Sequence, residues 1–351
     1  MKIKPMTKFA ILALSLVLVA CAGGGSEEAG CPAIDGREIN VVATTPMIGE
    51  FVSQVGGENI NLTVLMPPEA NPHTYEPAPQ DAGTIAEADL VFYTGLLYEP
   101  AALVKLLENS ACSTDILSEV GESVFPIEFK EGGHDDHDDH DDEEGHDDHD
   151  DEEGHDDEEG HDDEEGHDDH EGHNHGAYDP HFWFDPSRVA YAAEYIESRL
   201  IQFDPENESS YISSADSFVS ELNDLTKQVS ELISTVPSQN RKLITTHESL
   251  GYLEAKFGLE VLSTIIPSLN SANEISPSDL AGVIDVIEDN NVKVIFIESE
   301  APSVYSETIV AETGIKPVTG LYVETLKPGQ SYSEFLISNV TLITENLQDT
   351  D

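Results

Sequence analysis

The 351-residue chain contains fourteen histidines, and they fall into two groups. Eleven lie in one Asp/Glu/His/Gly tract from Glu131 to Gly176: His134, His137, His140, His146, His149, His155, His161, His167, His170, His173 and His175. The other three stand alone, His73 in NPHTYEP, His181 in DPHFWFDP and His247 in TTHESLGY. Imidazole is the commonest protein ligand for zinc-type metals, and zinc takes N, O and S ligands at tetrahedral positions. The chemistry these residues suggest is metal binding. No two of the isolated histidines are spaced i, i+3 or i, i+4, so one helix face cannot build the site. Only tertiary structure can bring them together.

Two features refine that expectation. His247-Glu248 opens like the HExxH helix of a zinc protease, but Gly251 stands where the second histidine belongs. Without that i, i+4 partner the motif fails, and a hydrolytic zinc enzyme is disfavoured. In the tract, HDDH spacing at His134 to His137 and His146 to His149 lets imidazoles and carboxylates share an ion. The tract is expected to collect cations weakly beside the main site, its negative potential concentrating them; the plain alternative is a solvated spacer. It repeats HDDEEG and holds no residue able to build a core, so it reads as a disordered loop.

The elements that must position the three histidines alternate between strand and helix. Ile39 to Ala43, Ile60 to Met66 and Leu90 to Tyr93 read as strands, separated by helices over Pro46 to Val55 and Asp81 to Ala88. A helix over Glu99 to Glu108 follows. Pro186 to Gln202 reads as helical, with Asp185 as cap and Pro186 in the first turn. Asn207 to Thr235 carries a long 3.6-residue pattern through Tyr211, Phe218, Leu222, Leu225, Val229 and Leu232, long enough to bridge two lobes. Strands are then expected at Lys242 to Thr245, Val261 to Ile265, Val292 to Ile297 and Lys316 to Thr319. Helices are expected at Gly251 to Phe257, Ser278 to Asp289, Ser303 to Thr313 and Ser331 to Leu347. Such alternation implies βαβ units and mainly parallel sheets, an α/β fold. His73 and His247 follow predicted strands, where loops at the carboxyl ends of parallel strands form ligand crevices.

Composition sets further bounds. Acidic residues number 71 against 15 basic, a net charge of -56. The tract supplies 26 of the acids; the rest of the chain is still -30. Nucleic acid is excluded as a partner, because phosphate binding needs Lys and Arg to displace counterions. Lys2, Lys4 and Lys8 precede an apolar run from Phe9 to Ala20, too short for a membrane span and shaped like a secretion signal. It ends Leu18-Val19-Ala20-Cys21, similar to a bacterial lipobox, so Cys21 is expected to carry the lipid of an exported, membrane-anchored protein. Cys31 and Cys112 are then free to pair in an oxidising compartment, or to remain thiols.

NPHTYEP, DPHFWFDP, THESLGYLEAKFGLEV and SPSDLAGVIDVIEDNNVKVIFIESE occur in that order. With the lipobox they resemble the metal-binding subunits of bacterial ABC importers, the zinc/manganese solute-binding lipoprotein family, and its zinc members in particular. The resemblance runs from about Ile39 to Leu347. It implies two α/β lobes, each with a mainly parallel sheet flanked by helices, joined by one long rigid helix, with metal between them. The implied organisation is a signal peptide over 1–20, a tether over 21–37, an N-terminal lobe over 38–205 containing the 131–176 loop, a linking helix over 206–237 and a C-terminal lobe over 238–351. By motif matching His73, His181 and His247 look like ligands. The fourth position is a carboxylate or water; Glu324 is the matching residue, with Glu298 a competitor or a support behind the ligands. Manganese members tend to carry a carboxylate where this chain has His247, and imidazole shifts preference toward zinc. The implied role is non-enzymatic: Zn²⁺ bound outside the cytoplasm by a monomer and passed to a membrane permease driven by a cytoplasmic ATPase. A Mn²⁺ or Fe²⁺ carrier of the same family, or a stand-alone metal buffer, are the alternatives.

Overall fold

The computed structural model describes residues 31, 34, 36–129, 178–266, 277–299 and 304–348. The expected leader, Cys21, most of the tether and the eleven histidines from His134 to His175 lie outside the described residues.

The first lobe runs β1 (Ile39–Ala43), α1 (Pro46–Gly56), β2 (Ile60–Val64), α2 (Pro79–Ala86), β3 (Leu90–Tyr93), α3 (Ala101–Ser110), β4 (Leu117–Glu119) and α4 (Pro186–Phe203). Its four strands are all parallel, in the order β2-β1-β3-β4. Because side chains alternate across a strand, both sheet faces must be apolar when helices cover both. Ile39, Val41 and Ala43 of β1, with Leu90 and Phe92 of β3, enter the main core. Val42 and Val91 turn the other way and meet Ile85 of α2 and Leu103 and Leu107 of α3. β4 is the strand the sequence did not signal: three residues, Leu-Ser-Glu, are too short to show a period.

The second lobe repeats the plan with β5 (Lys242–Thr245), α6 (Gly251–Phe257), β6 (Glu260–Thr264), α7 (Pro277–Asp289), β7 (Val294–Glu298), α8 (Val304–Thr313), β8 (Lys316–Leu321) and α9 (Tyr332–Gln348). β5 pairs with β6 and β7 with β8, both in parallel, and β5 packs beside β7. Leu243, Val294 and Phe296 enter the main core, while Ile244 and Ile295 face Val283, Ile287 and Ile309.

Between the lobes runs α5 (Glu208–Ser234), 27 residues and roughly 40 Å long at 1.5 Å per residue. Tyr211, Ala215, Phe218, Leu222, Leu225, Val229 and Ile233 form its buried stripe. Spacings of three and four place them on one face. That face packs on α1 and α4 of the first lobe and on α6 and α9 of the second. One core therefore runs through both lobes along this helix, a rigid connection rather than a flexible strand hinge. A disulfide joins Cys31 to Cys112, just past α3, across 81 residues of sequence. Among the described residues no helix is long and apolar enough to cross a membrane.

Candidate metal centre

Each isolated histidine sits on backbone that its own neighbours fix. His73 follows β2 in a 3-10 turn over Pro72–Thr74, and the Asn71 side chain accepts from His73 N at 2.9 Å. Asp81 anchors the rest of that loop: its carboxylate accepts from Tyr75 Oη at 3.0 Å and from Ala78 N at 2.8 Å. Burial, with Asp81 beside it, pushes the Tyr75 phenol up to about 12, so it stays a donor.

His181 precedes Phe182, Trp183 and Phe184, all fully buried. This aromatic wedge ties the two lobes: Trp183 Nε1 donates to Val323 O at 2.8 Å, and Tyr332 Oη donates to Trp183 O at 2.7 Å. Asp179 Oδ1 accepts from both His181 N and His181 Nδ1, at 2.8 and 2.7 Å. Tyr252 Oη donates to Asp179 O at 2.8 Å. A Cβ at position 251 would lie 2.7 Å from Asp179 Oδ2. Gly251 thus leaves room for the carboxylate that orients His181, which a side chain at that position would have to displace.

His247 follows β5. Glu298, the last residue of β7, accepts from His247 N at 3.1 Å and from His247 Nδ1 in a short contact. Glu298 N in turn donates to Thr246 Oγ1 at 3.0 Å. Glu324 lies past β8, and Tyr98 Oη donates to its Oε2 at 2.9 Å.

These four residues converge. One ligand atom from each of His73, His181, His247 and Glu324 lies within 4.8 Å of the other three. Glu324 Oε1 is 3.1 Å from His73 Nε2, 3.4 Å from His181 Nε2 and 2.9 Å from His247 Nε2. His181 Nε2 and His247 Nε2 are 3.5 Å apart. A tetrahedral zinc with bonds of about 2.0–2.1 Å has ligand atoms roughly 3.3 Å apart; the four distances just given are near that value, and all four atoms lie within 4.8 Å of one another. Ring centroids of the three imidazoles are 5.3 to 6.3 Å apart.

The tautomers follow from the supports. With Nδ1–H of His181 and His247 given to Asp179 and Glu298, both Nε2 lone pairs face inward, the usual orientation of metal-bound histidine. His73 Nδ1 is buried without a hydrogen-bond partner among the described residues. Glu298 stands behind His247, on the far side of the ring from the cluster, and Glu324 is the carboxylate inside it. Motif matching had favoured Glu324 as the ligand, with Glu298 as a competitor or a support behind the ligands. Asp179 and Tyr98 were not singled out. Asp179 lay within DPHFWFDP and could have been found as the residue two before the histidine, whereas nothing local marks Tyr98.

The buried charges oppose one another. Burial pulls the His181 imidazole down, but Glu324 and Asp179 outweigh it and hold its pKa at about 9. Burial likewise lowers His247, and Glu298 and Glu324 reverse this, leaving it well above the ordinary histidine range. Burial alone would raise Glu324, yet His73 and His181 keep it well below the usual carboxylate range. Without a cation the cluster holds protons; a divalent ion would replace them, so uptake releases protons.

The family profile described as "Zinc-uptake complex component A periplasmic" matches residues 41–346. High-affinity zinc uptake system protein ZnuA of Bacillus subtilis is 27% identical over 349 residues, covering 97% of this chain and 96% of that protein. Manganese-binding lipoprotein MntA of Halalkalibacterium halodurans is 21% identical over 345 residues, 97% of each. Among solved structures, the periplasmic zinc binding protein TroA from Treponema pallidum superposes with a TM-score of 0.69 at 20% identity, covering 88% of this chain and 99% of that one.

Proposed function

The chain belongs to the periplasmic zinc-uptake component A family, metal-binding solute-binding proteins of ABC importers rather than enzymes, and from this premise we propose that its cargo is Zn²⁺. The observation that carries the reading is the donor set: three imidazole nitrogens and one carboxylate oxygen within 4.8 Å of one another. Neutral nitrogen ligands suit zinc, whereas oxygen-rich, higher-coordinate sites suit manganese. Relatives named for manganese and for zinc both occur, so the assignment to zinc comes from this chain's own residues.

In this reading His73, His181, His247 and Glu324 bind the ion, and Asp179 and Glu298 orient two of the imidazoles. The lobes over 38–205 and 238–351 close on it across the helix over 206–237. The monomer hangs from a lipid on Cys21 and hands its cargo to a permease driven by a cytoplasmic ATPase. The tract's histidines, His134 to His175, feed the cleft from a weakly held pool. Competition against chelators at known free metal tests the cargo: zinc is expected to bind far tighter than manganese. Equal or tighter manganese binding would overturn the assignment. Zinc titration of the chain with and without 131–176 tests the pool, which predicts fewer weakly bound ions after deletion. Replacing Cys21 by Ala is expected to release the protein from membranes.

A further inference from the structure

The turn between β3 and α3 has an unusual backbone. Gly95, Leu96 and Leu97 follow one another at φ 76°, 53° and 60°. Left-handed backbone is rarely taken by residues with a side chain, and consecutive leucines there need external support. Two carboxylates supply it. Glu99, buried, accepts from Thr94 N at 2.7 Å, Gly95 N at 2.9 Å and Thr44 Oγ1 at 2.7 Å. Glu119 Oε1 accepts from Leu96 N at 2.9 Å. The Glu119 side chain runs so close that a Cβ at Gly95 would meet it at 2.1 Å.

What the turn delivers is the next residue. Tyr98 is 1% exposed, with its ring 5.1 Å from that of His73 and 6.0 Å from that of His181. Its hydroxyl proton is directed at Glu324, 2.9 Å from Oε2 and 3.1 Å from the main-chain oxygen. All three imidazole contacts of the Glu324 carboxylate run to the other oxygen, Oε1. Among the described residues, the imidazoles thus meet one oxygen and the Tyr98 hydroxyl the other.

We propose that Tyr98 is a specificity-determining residue: by holding Oε2 of Glu324 it presents the carboxylate through Oε1 alone, favouring a four-coordinate cation over one that takes more oxygens. The proposal rests on the metal site described above and names how that site chooses among divalent ions. A carboxylate free to swing gives a second oxygen to manganese, which accepts six ligands, mostly oxygen. Zinc in a tetrahedral site has no use for it. Tyr98 does not touch the ion; it acts by fixing how Glu324 does. The strained turn, held by Glu99 and Glu119, fixes the hydroxyl in turn.

The test is Tyr98→Phe in the full chain, with zinc and manganese dissociation constants measured beside wild type by chelator competition. Loss of the hydroxyl is expected to weaken zinc by about tenfold, as for other groups that orient metal ligands, and to weaken manganese less or strengthen it. The manganese-to-zinc ratio of constants then falls. Equal weakening of both metals, which a purely structural role gives, would overturn the proposal. A second measurement needs no variant: in a crystal of the wild-type protein loaded with manganese, Glu324 is expected to bind through Oε1 only. Both oxygens on the metal would sink the idea. Failure of the zinc assignment reads separately, as a wild-type protein that prefers manganese whatever the substitution does to the ratio.

Discussion

Glu298→Gln is a sharp perturbation because it keeps size and shape while removing one acceptor. In the native protein the two Glu298 oxygens face two donors, His247 N and His247 Nδ1–H. Glutamine has one oxygen and one NH₂. If its oxygen keeps the main-chain N–H, the NH₂ confronts Nδ1 and donates to it. The imidazole proton is then driven to Nε2, the atom proposed to hold the metal. Partners of this kind contribute about 10- to 100-fold to metal affinity, or roughly 1.4–2.7 kcal/mol. The upper end is expected here, since Glu298 is 1% exposed and water cannot replace the lost acceptor. There is a second signature. Glu298 is the leading influence raising His247 against burial, so removing its charge lowers that imidazole. Calorimetry in buffers of different ionisation enthalpy near pH 7.5 should find protons released on zinc binding in wild type and fewer released in the variant. Zinc affinity within twofold of wild type, with an unchanged proton count, would refute the argument.

Zinc affinity of the native protein should rise with pH up to about 9, because His181 holds a proton below that value and the metal must displace it; titrations from pH 6 to 9.5 check this, and a flat profile contradicts it. For the metal-free protein the sign reverses. The folded-state pKa of His181 lies above its unfolded value near 6.5, so its stabilisation is complete below pH 6.5 and is lost as pH rises through about 9. Thermal melts in chelator should show that decline, and zinc-loaded protein should not. Reducing the Cys31–Cys112 bond, which closes a loop of 81 residues, is expected to cost up to about 4.5 kcal/mol by loop-closure entropy, measured as the change in urea midpoint with and without reductant.

Much of the fold was legible because its signals are local. The apolar stripe of α5 has one period throughout, and its predicted and observed ends differ by one residue each. Strands β1, β3 and β5 read from end to end; β1 and β3, covered on both faces, are apolar at nearly every position. β4 escaped because hydrogen bonds to β3, not its own side chains, make it a strand.

For the site, sequence determined the donor types. Three imidazoles in a chain that otherwise keeps histidine inside one acidic tract are visible without coordinates, and so is the Gly251 that breaks the protease motif. Local chemistry did not separate Glu298 from Glu324, both glutamates at or past the ends of C-terminal-lobe strands; only motif matching favoured Glu324, with Glu298 as competitor or support. The end of β7, packed beside β5, puts one behind an imidazole, and the segment past β8 puts the other in the cluster. Tyr98 belongs wholly to the tertiary structure: its role depends on a left-handed turn held by Glu119, 21 residues away, and on a carboxylate 226 residues away. Local pattern records what a residue can donate or accept. Only packing decides what it faces.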